Sequence, residues 1–256
     1  MPLDRPFRLV SRQLIDGSYA NNGNGRYVSH AAYAKQPAHY VRAFLLLQDD
    51  LKRLFEFVEP ADQNLNCYSF RIHELLMRAC IEVEANCKAI LQANGYADDG
   101  FPTMYDYIKI NASHRLSSYE VRVPTWDGAM RVRKPFAKWH DGVSLPWYKA
   151  YNESKHDRHA NFKRATFEHA LDAIGGCAII LAAQFRGEDF NSLTSYRTLE
   201  GGRDGWVDAI GRFFQIKYAD DWPVAERYEF KWSDLEGEAD PFVNFPYPPK
   251  PPRPTR

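Results

Sequence analysis

Apolar positions recur at helical spacing in several stretches of the chain and alternate in one. From about His39 to Val58, the residues Val41, Phe44, Leu45, Leu47, Leu51, Leu54, Phe55 and Val58 follow a 3.6-residue repeat, and Pro60 stops it. A longer stripe of Leu75, Leu76, Ala79, Cys80, Val83, Cys87, Ile90 and Leu91 predicts a helix from about Phe70 to Asn94, with Gly95 placed to end it. Glu74–Arg78 and Glu84–Lys88 are i,i+4 pairs in the favourable order on that helix. Two such helices joined by a short connection are expected to pack antiparallel. A short helix is expected around Met104 to Ile110, another opened by Pro146 from about Trp147 to Arg158, and a last core helix from about Ala165 to Phe185. In that last helix Gly175, Gly176 and Ala178 leave room for a neighbour to come close. Between these helical patterns, YEVRVPTWDGAMRVRKPF alternates around Asp127–Gly128, the pattern of a β-hairpin.

The two ends read differently. Residues 1–37 mix Gly, Asn and Pro with aromatics and read as a loop-rich segment. After Gly187, GWVDAIGRFFQIKY and ERYEFKWSDL read as short strands, or a strand and a helix, in a small α/β appendage over 191–245. The end, 246–256, is a polyproline-type tail, either solvated or a ligand for a protein partner. The expected fold is mainly α: an up-and-down bundle of four or five helices over 38–190, carrying a β-hairpin insertion near 119–136, with a small α/β C-terminal appendage.

Composition narrows the class without naming a partner. Lys plus Arg and Asp plus Glu both total 33, so any electrostatic argument has to be local. The four cysteines, Cys67, Cys80, Cys87 and Cys177, form no CxxC pair and read as free thiols in a reducing compartment. The N-terminus carries charges and a proline where a signal peptide has its apolar run, and the longest apolar run, Cys177 to Ala183, is too short to span a bilayer. A cytoplasmic protein with no membrane association is the expectation. There is no glycine-rich phosphate loop, no GxGxxG and no HExxH, so neither a cofactor nor a metal is expected. His73, beside Glu74, reads as a half-buried structural histidine.

Charge is nonetheless uneven. Residues 109–164 hold twelve Lys or Arg against five Asp or Glu. The hairpin supplies Arg122, Arg131, Arg133 and Lys134 beside Trp126, Phe136 and Trp139, and the next helix supplies Lys149, Lys155 and Arg158. Cations attract phosphates and aromatic rings stack on unpaired bases, so RNA is the candidate partner; an ordinary solvated surface is the plainer reading. Asn152 and His156 are four apart, one helical turn, with Lys155 and Arg158 beside them. A histidine among cations tends to lose its proton, and a neutral imidazole serves as general base on a ribose 2′-hydroxyl while the cations steady phosphate charge. Read blandly, Asn152 bonds locally and His156 is a surface histidine.

Two short motifs resemble the HEPN superfamily, helical bundles named for their occurrence in higher eukaryotes and prokaryotes. One is Glu84-Ala-Asn-Cys-Lys88 on the second helix; the other is Tyr151-Asn152-Glu-Ser-Lys-His156, followed by a further core helix. The resemblance covers about residues 38–186. It implies a homodimeric bundle that binds RNA or cleaves it without metal, in stress or phage defence. His156 would be base or acid, Asn152 would orient, Lys155 and Arg158 would stabilise phosphate, and Glu84 and Lys88 would brace the site. Tyr151, Lys149, Arg131, Arg133 and Lys134 would contact RNA. The pattern departs at Tyr151, which stands where catalytic members carry the arginine of a site composed across the dimer. That departure keeps a second reading open, a non-catalytic helical module binding protein or nucleotide within a larger assembly.

Overall fold

The computed structural model describes residues 1–19, 23–97, 102–190 and 204–250. Its helices are α1 (Pro37–Phe55), α2 (Phe70–Ala93), α3 (Met104–Tyr107), α4 (Ile110–His114), α5 (Pro146–His156), α6 (Arg158–Asn161), α7 (Phe167–Phe185) and α8 (Trp232–Leu235). Its strands are β1 (Glu120–Arg122), β2 (Val132–Arg133), β3 (Val207–Asp208) and β4 (Gln215–Lys217), in one antiparallel sheet of order β2-β1-β4-β3. The protein is mainly α with this small sheet at its side. Among the described residues, no helix is long and apolar enough to cross a membrane.

Local chemistry sets the helix starts. Proline leads α1 and α5, where its missing N–H is no loss. Ser69 caps α2 by accepting from the Ile72 N–H at 3.2 Å, and Thr166 caps α7 by accepting from the His169 N–H at 3.3 Å. Helix α7 is buried on nearly every side and packs against α1, α2 and α5 as well as β1 and β4. Its glycines admit two neighbours: a Cβ on Gly175 would meet Val121 of β1 at 2.9 Å, and one on Gly176 would meet the Phe136 ring at 3.4 Å.

Two expected helices are divided. The one expected around Met104 to Ile110 is the pair α3 and α4. The one expected from Trp147 to Arg158 stops at His156, because Asp157 leaves helical geometry (φ −141, ψ 82) and its carboxylate accepts from the Ala160 N–H at 3.1 Å to cap α6. Arg158 therefore begins a new element rather than continuing the face of Asn152 and His156.

The hairpin forms, with Val121 opposite Arg133, but its short strands are joined by a loop over 123–131 rather than a tight Asp-Gly turn, and β4 pairs with the other side of β1, so residues from 207–217 complete the hairpin's sheet. The loop is clasped by Asp62, whose carboxylate accepts from Trp126 Nε1 at 2.7 Å and from the Ala129 and Met130 N–H groups at 2.8 and 3.1 Å. Gly128, at φ +126, leaves no space for a side chain: a Cβ there would lie 2.3 Å from the Asp62 carboxyl carbon. Gly128→Ala is expected to lower stability by about 1 kcal/mol or more, read as a shift in the urea midpoint at unchanged slope.

The N-terminal segment lies along residues 226–245. Bridges join Leu3 to Tyr228 and Phe7 to Val243, and the Tyr228 hydroxyl donates to the Val10 carbonyl while accepting from the Phe7 N–H. The buried Arg12 guanidinium lies 4.5 Å over Trp222 and 5.1 Å over Phe7. Residues 246–250 of the Pro-rich tail fold back onto the body: Tyr247 bonds Ser113, and Lys109 donates to the Pro248 and Pro249 carbonyls. Residues 251–256 of the tail, and 191–203 of the expected appendage, lie outside the described residues.

Candidate functional site

Helix α5 turns one face to α2. Tyr148, Tyr151 and Lys155 stand at i, i+3 and i+7 on that face, and Glu84 meets them from α2. The Tyr148 hydroxyl donates to Glu84 Oε1 at 2.6 Å. Lys155 Nζ donates to the Tyr151 hydroxyl at 3.0 Å, and the two rings lie 5.5 Å apart. Burial lifts both phenols above their ordinary range; Glu84 adds to this at Tyr148, while the Lys155 bond opposes it at Tyr151. The same bond holds the Lys155 ammonium above its ordinary value. Both tyrosines are thus protonated and Lys155 charged at neutral pH, which makes the cluster a structural clasp between α5 and α2.

The motif residues do not converge. Tyr151 is 1% exposed, inside the core. Asn152 is half-buried, and His156, the last residue of α5, is exposed, with no ring hydrogen bond or ion pair among the described residues. Glu84 faces Tyr148, whereas Lys88, one turn on, lines a shallow cavity with Tyr96 and Lys250. Arg158 opens α6 with its guanidinium 5.9 Å over the Phe70 ring. Lys149 is exposed, its Nζ 3.9 Å from the Glu153 carboxylate.

The hairpin cations separate as well. Arg131 is exposed in the turn, and Lys134 is exposed with its Nζ 2.8 Å from Glu120. Arg133 is 5% exposed and held from α7 by Asp172 and, at 3.0 Å, by Glu168. Burial works against its charge, but the two carboxylates outweigh it and hold the guanidinium above its ordinary value. Arg133 is occupied as an internal tie between hairpin and helix. Cys80, Cys87 and Cys177 are buried free thiols whose ionisation burial suppresses.

Tyr148, the residue that occupies Glu84, had only a weak signal in the sequence: it lies one turn before Asn152 on the inward side of a helix opened by proline. Compared with known proteins, the chain matches no family profile, no curated protein and no solved structure.

Proposed function

We propose that the chain is a HEPN-like RNA-binding protein that does not itself cut RNA, built as an up-and-down bundle and acting as a homodimer. The observation that carries this reading is the dispersal of the motif groups. Glu84 is taken by Tyr148, Tyr151 is buried with Lys155 on its hydroxyl, and His156 stands exposed at the end of α5. Metal-independent cleavage needs an acid and a base within hydrogen-bond reach of one ribose. Tyr148, which meets Glu84, and His156 are eight residues apart, about 12 Å along the helix axis. Support for RNA as the partner comes from the exposed cations Lys149, Lys155, Arg158, Lys163 and Arg164 on and after α5. A cytoplasmic role in stress or phage defence belongs to the same reading through the resemblance.

The test is to incubate wild type and His156→Ala with labelled single-stranded and structured RNA, chelator present, following anisotropy and fragment ends. Both proteins are expected to bind and neither to cut. Affinity should fall about 20-fold between 50 and 200 mM salt if three phosphates are neutralised. Cleavage leaving cyclic phosphate ends, lost in His156→Ala, would overturn the non-catalytic reading. Absence of binding to any RNA would overturn RNA as the partner.

A further inference from the structure

Where α2 begins and α6 ends, aromatic rings gather on a charged surface. Phe162, in the turn after α6, is their centre: its ring lies 4.6 Å from Phe70, 5.8 Å from Tyr68 and 5.7 Å from His73. Tyr68 and Phe70 are 46% and 63% exposed. The cluster rests on a fixed frame, because the Phe167 N–H donates to the Cys67 carbonyl at 2.7 Å, the Glu168 N–H donates to the Leu65 carbonyl at 2.9 Å, and Tyr68 bridges to Thr166. A backbone fixed this way, with the rings packed on one another, lowers the ordering cost of binding.

The setting is cationic. Arg158 lies over Phe70, and neither Arg158 nor Lys163 has a carboxylate partner among the described residues. Arg71 and Arg164 add charge, each shared with one carboxylate, Glu74 and Glu153. His73, only 9% exposed, has an Nε2 with no hydrogen-bond partner, and burial and then Arg158 disfavour its protonation. Contiguous exposed rings are unfavourable in water and mark a contact surface. A surplus of cations beside them fits a polyanion better than an apolar protein face.

We propose that Tyr68, Phe70 and Phe162 form a stacking platform for unpaired bases of single-stranded RNA, with Arg158 and Lys163 meeting the flanking phosphates. The platform rests on the RNA-binding reading above and adds a location and a preference for unpaired strands. Phe162 fixes the angle of the pair, and Phe70 offers the most open ring. Duplex RNA, whose bases are stacked on each other, leaves the rings unused and keeps only the phosphate contacts.

The experiment titrates the full chain into a labelled single strand of about 12 nucleotides, within the span a single binding module covers, and into the matched duplex. Wild type is expected to prefer the single strand. Phe70→Ala, at a site 63% exposed, is expected to weaken that binding about tenfold or more. Tyr68→Ala acts in the same direction, Phe70→Trp retains or improves binding, and duplex binding is unchanged in all three. Circular dichroism of each variant separates loss of fold from loss of the ring. If wild type binds single strands and both alanine variants match it, the platform is overturned while the RNA reading stands. Equal wild-type affinity for duplex and single strand also overturns the platform. No wild-type binding to either RNA removes the RNA reading and the platform together.

Discussion

Replacing Arg133 by alanine is expected to destabilise the fold by about 2–3 kcal/mol, because it strips the shared cation from two partly buried carboxylates. Arg133 enters from β2 and ties the hairpin to two carboxylates one turn apart on α7, Glu168 and Asp172. Burial already raises the Asp172 carboxyl above its ordinary range, and Arg133 is the main group opposing that rise. With Arg133 gone, Asp172, itself partly buried, either carries an unpaired charge or takes up a proton more readily than before. The double variant Arg133→Met, Asp172→Leu replaces the pair by apolar groups of similar size and should recover most of the loss, since removing a buried pair whole is often nearly neutral. Urea denaturation at pH 7 compares the three proteins. An alanine variant within 1 kcal/mol of wild type, or a double variant as unstable as the single, would show that the pair carries no such weight.

That tie also marks how far the sequence could be read. The long helices were legible because their apolar stripes and caps agree: Ser69 before α2, Gly95 after it, proline at the heads of α1 and α5. The hairpin was legible from Asp127–Gly128. The other half of its sheet was not, because β4 pairs with β1 across nearly a hundred residues, and two- or three-residue strands carry too few positions for alternation to register. Asp157 was unreadable as a break, since an aspartate within a helical pattern looks like one more solvated position until its carboxylate is seen capping the next helix. In the candidate site, the helices bearing Glu84 and His156 were placed by pattern, but which side chains meet depends on rotation about the helix axes. That rotation gave Glu84 to Tyr148. Pairing of β2 with β1 likewise turned Arg133, expected among the RNA contacts, toward α7 and inside the protein; the i,i+4 carboxylates Glu168 and Asp172 were the one visible hint of a buried cation. The ring cluster around Phe162 joins residues at the start of α2 with one after α6, and no local pattern links them.

Stability is expected to fall by about 3 kcal/mol as pH drops from 6.5 to 4, through His114. This residue ends α4 and is fully buried. Its Nε2 lies 2.7 Å from the Leu9 carbonyl and its Nδ1 2.7 Å from the Ser113 hydroxyl, which also bonds Tyr247. In the neutral tautomer with its proton on Nε2, Nε2–H donates to Leu9, and Nδ1 faces the Ser113 hydroxyl, whose single proton is also within reach of the Ile110 carbonyl. Burial, reinforced by the charge of Arg12, holds the imidazole down to about 4, against an ordinary 6.5. Between those values the unfolded chain binds a proton that the folded protein refuses, so stability rises with pH across that window. The contribution is whole above pH 6.5 and is lost as pH falls through the folded value. His73, also lowered by burial, acts in the same direction, while Glu82 and Asp172, raised by burial, act against it at the acid end. Comparing wild type with His114→Gln isolates the one residue, since the other groups are common to both. The variant should be less stable at pH 7.5 and show a shallower decline of the urea midpoint toward pH 4. Parallel curves for the two proteins would sink the assignment. Because Leu9 belongs to the N-terminal segment and Tyr247 to the tail, acid should first release these two ends from the bundle, seen as faster amide exchange at Leu9 to Gln13 before α2 or α7 is affected.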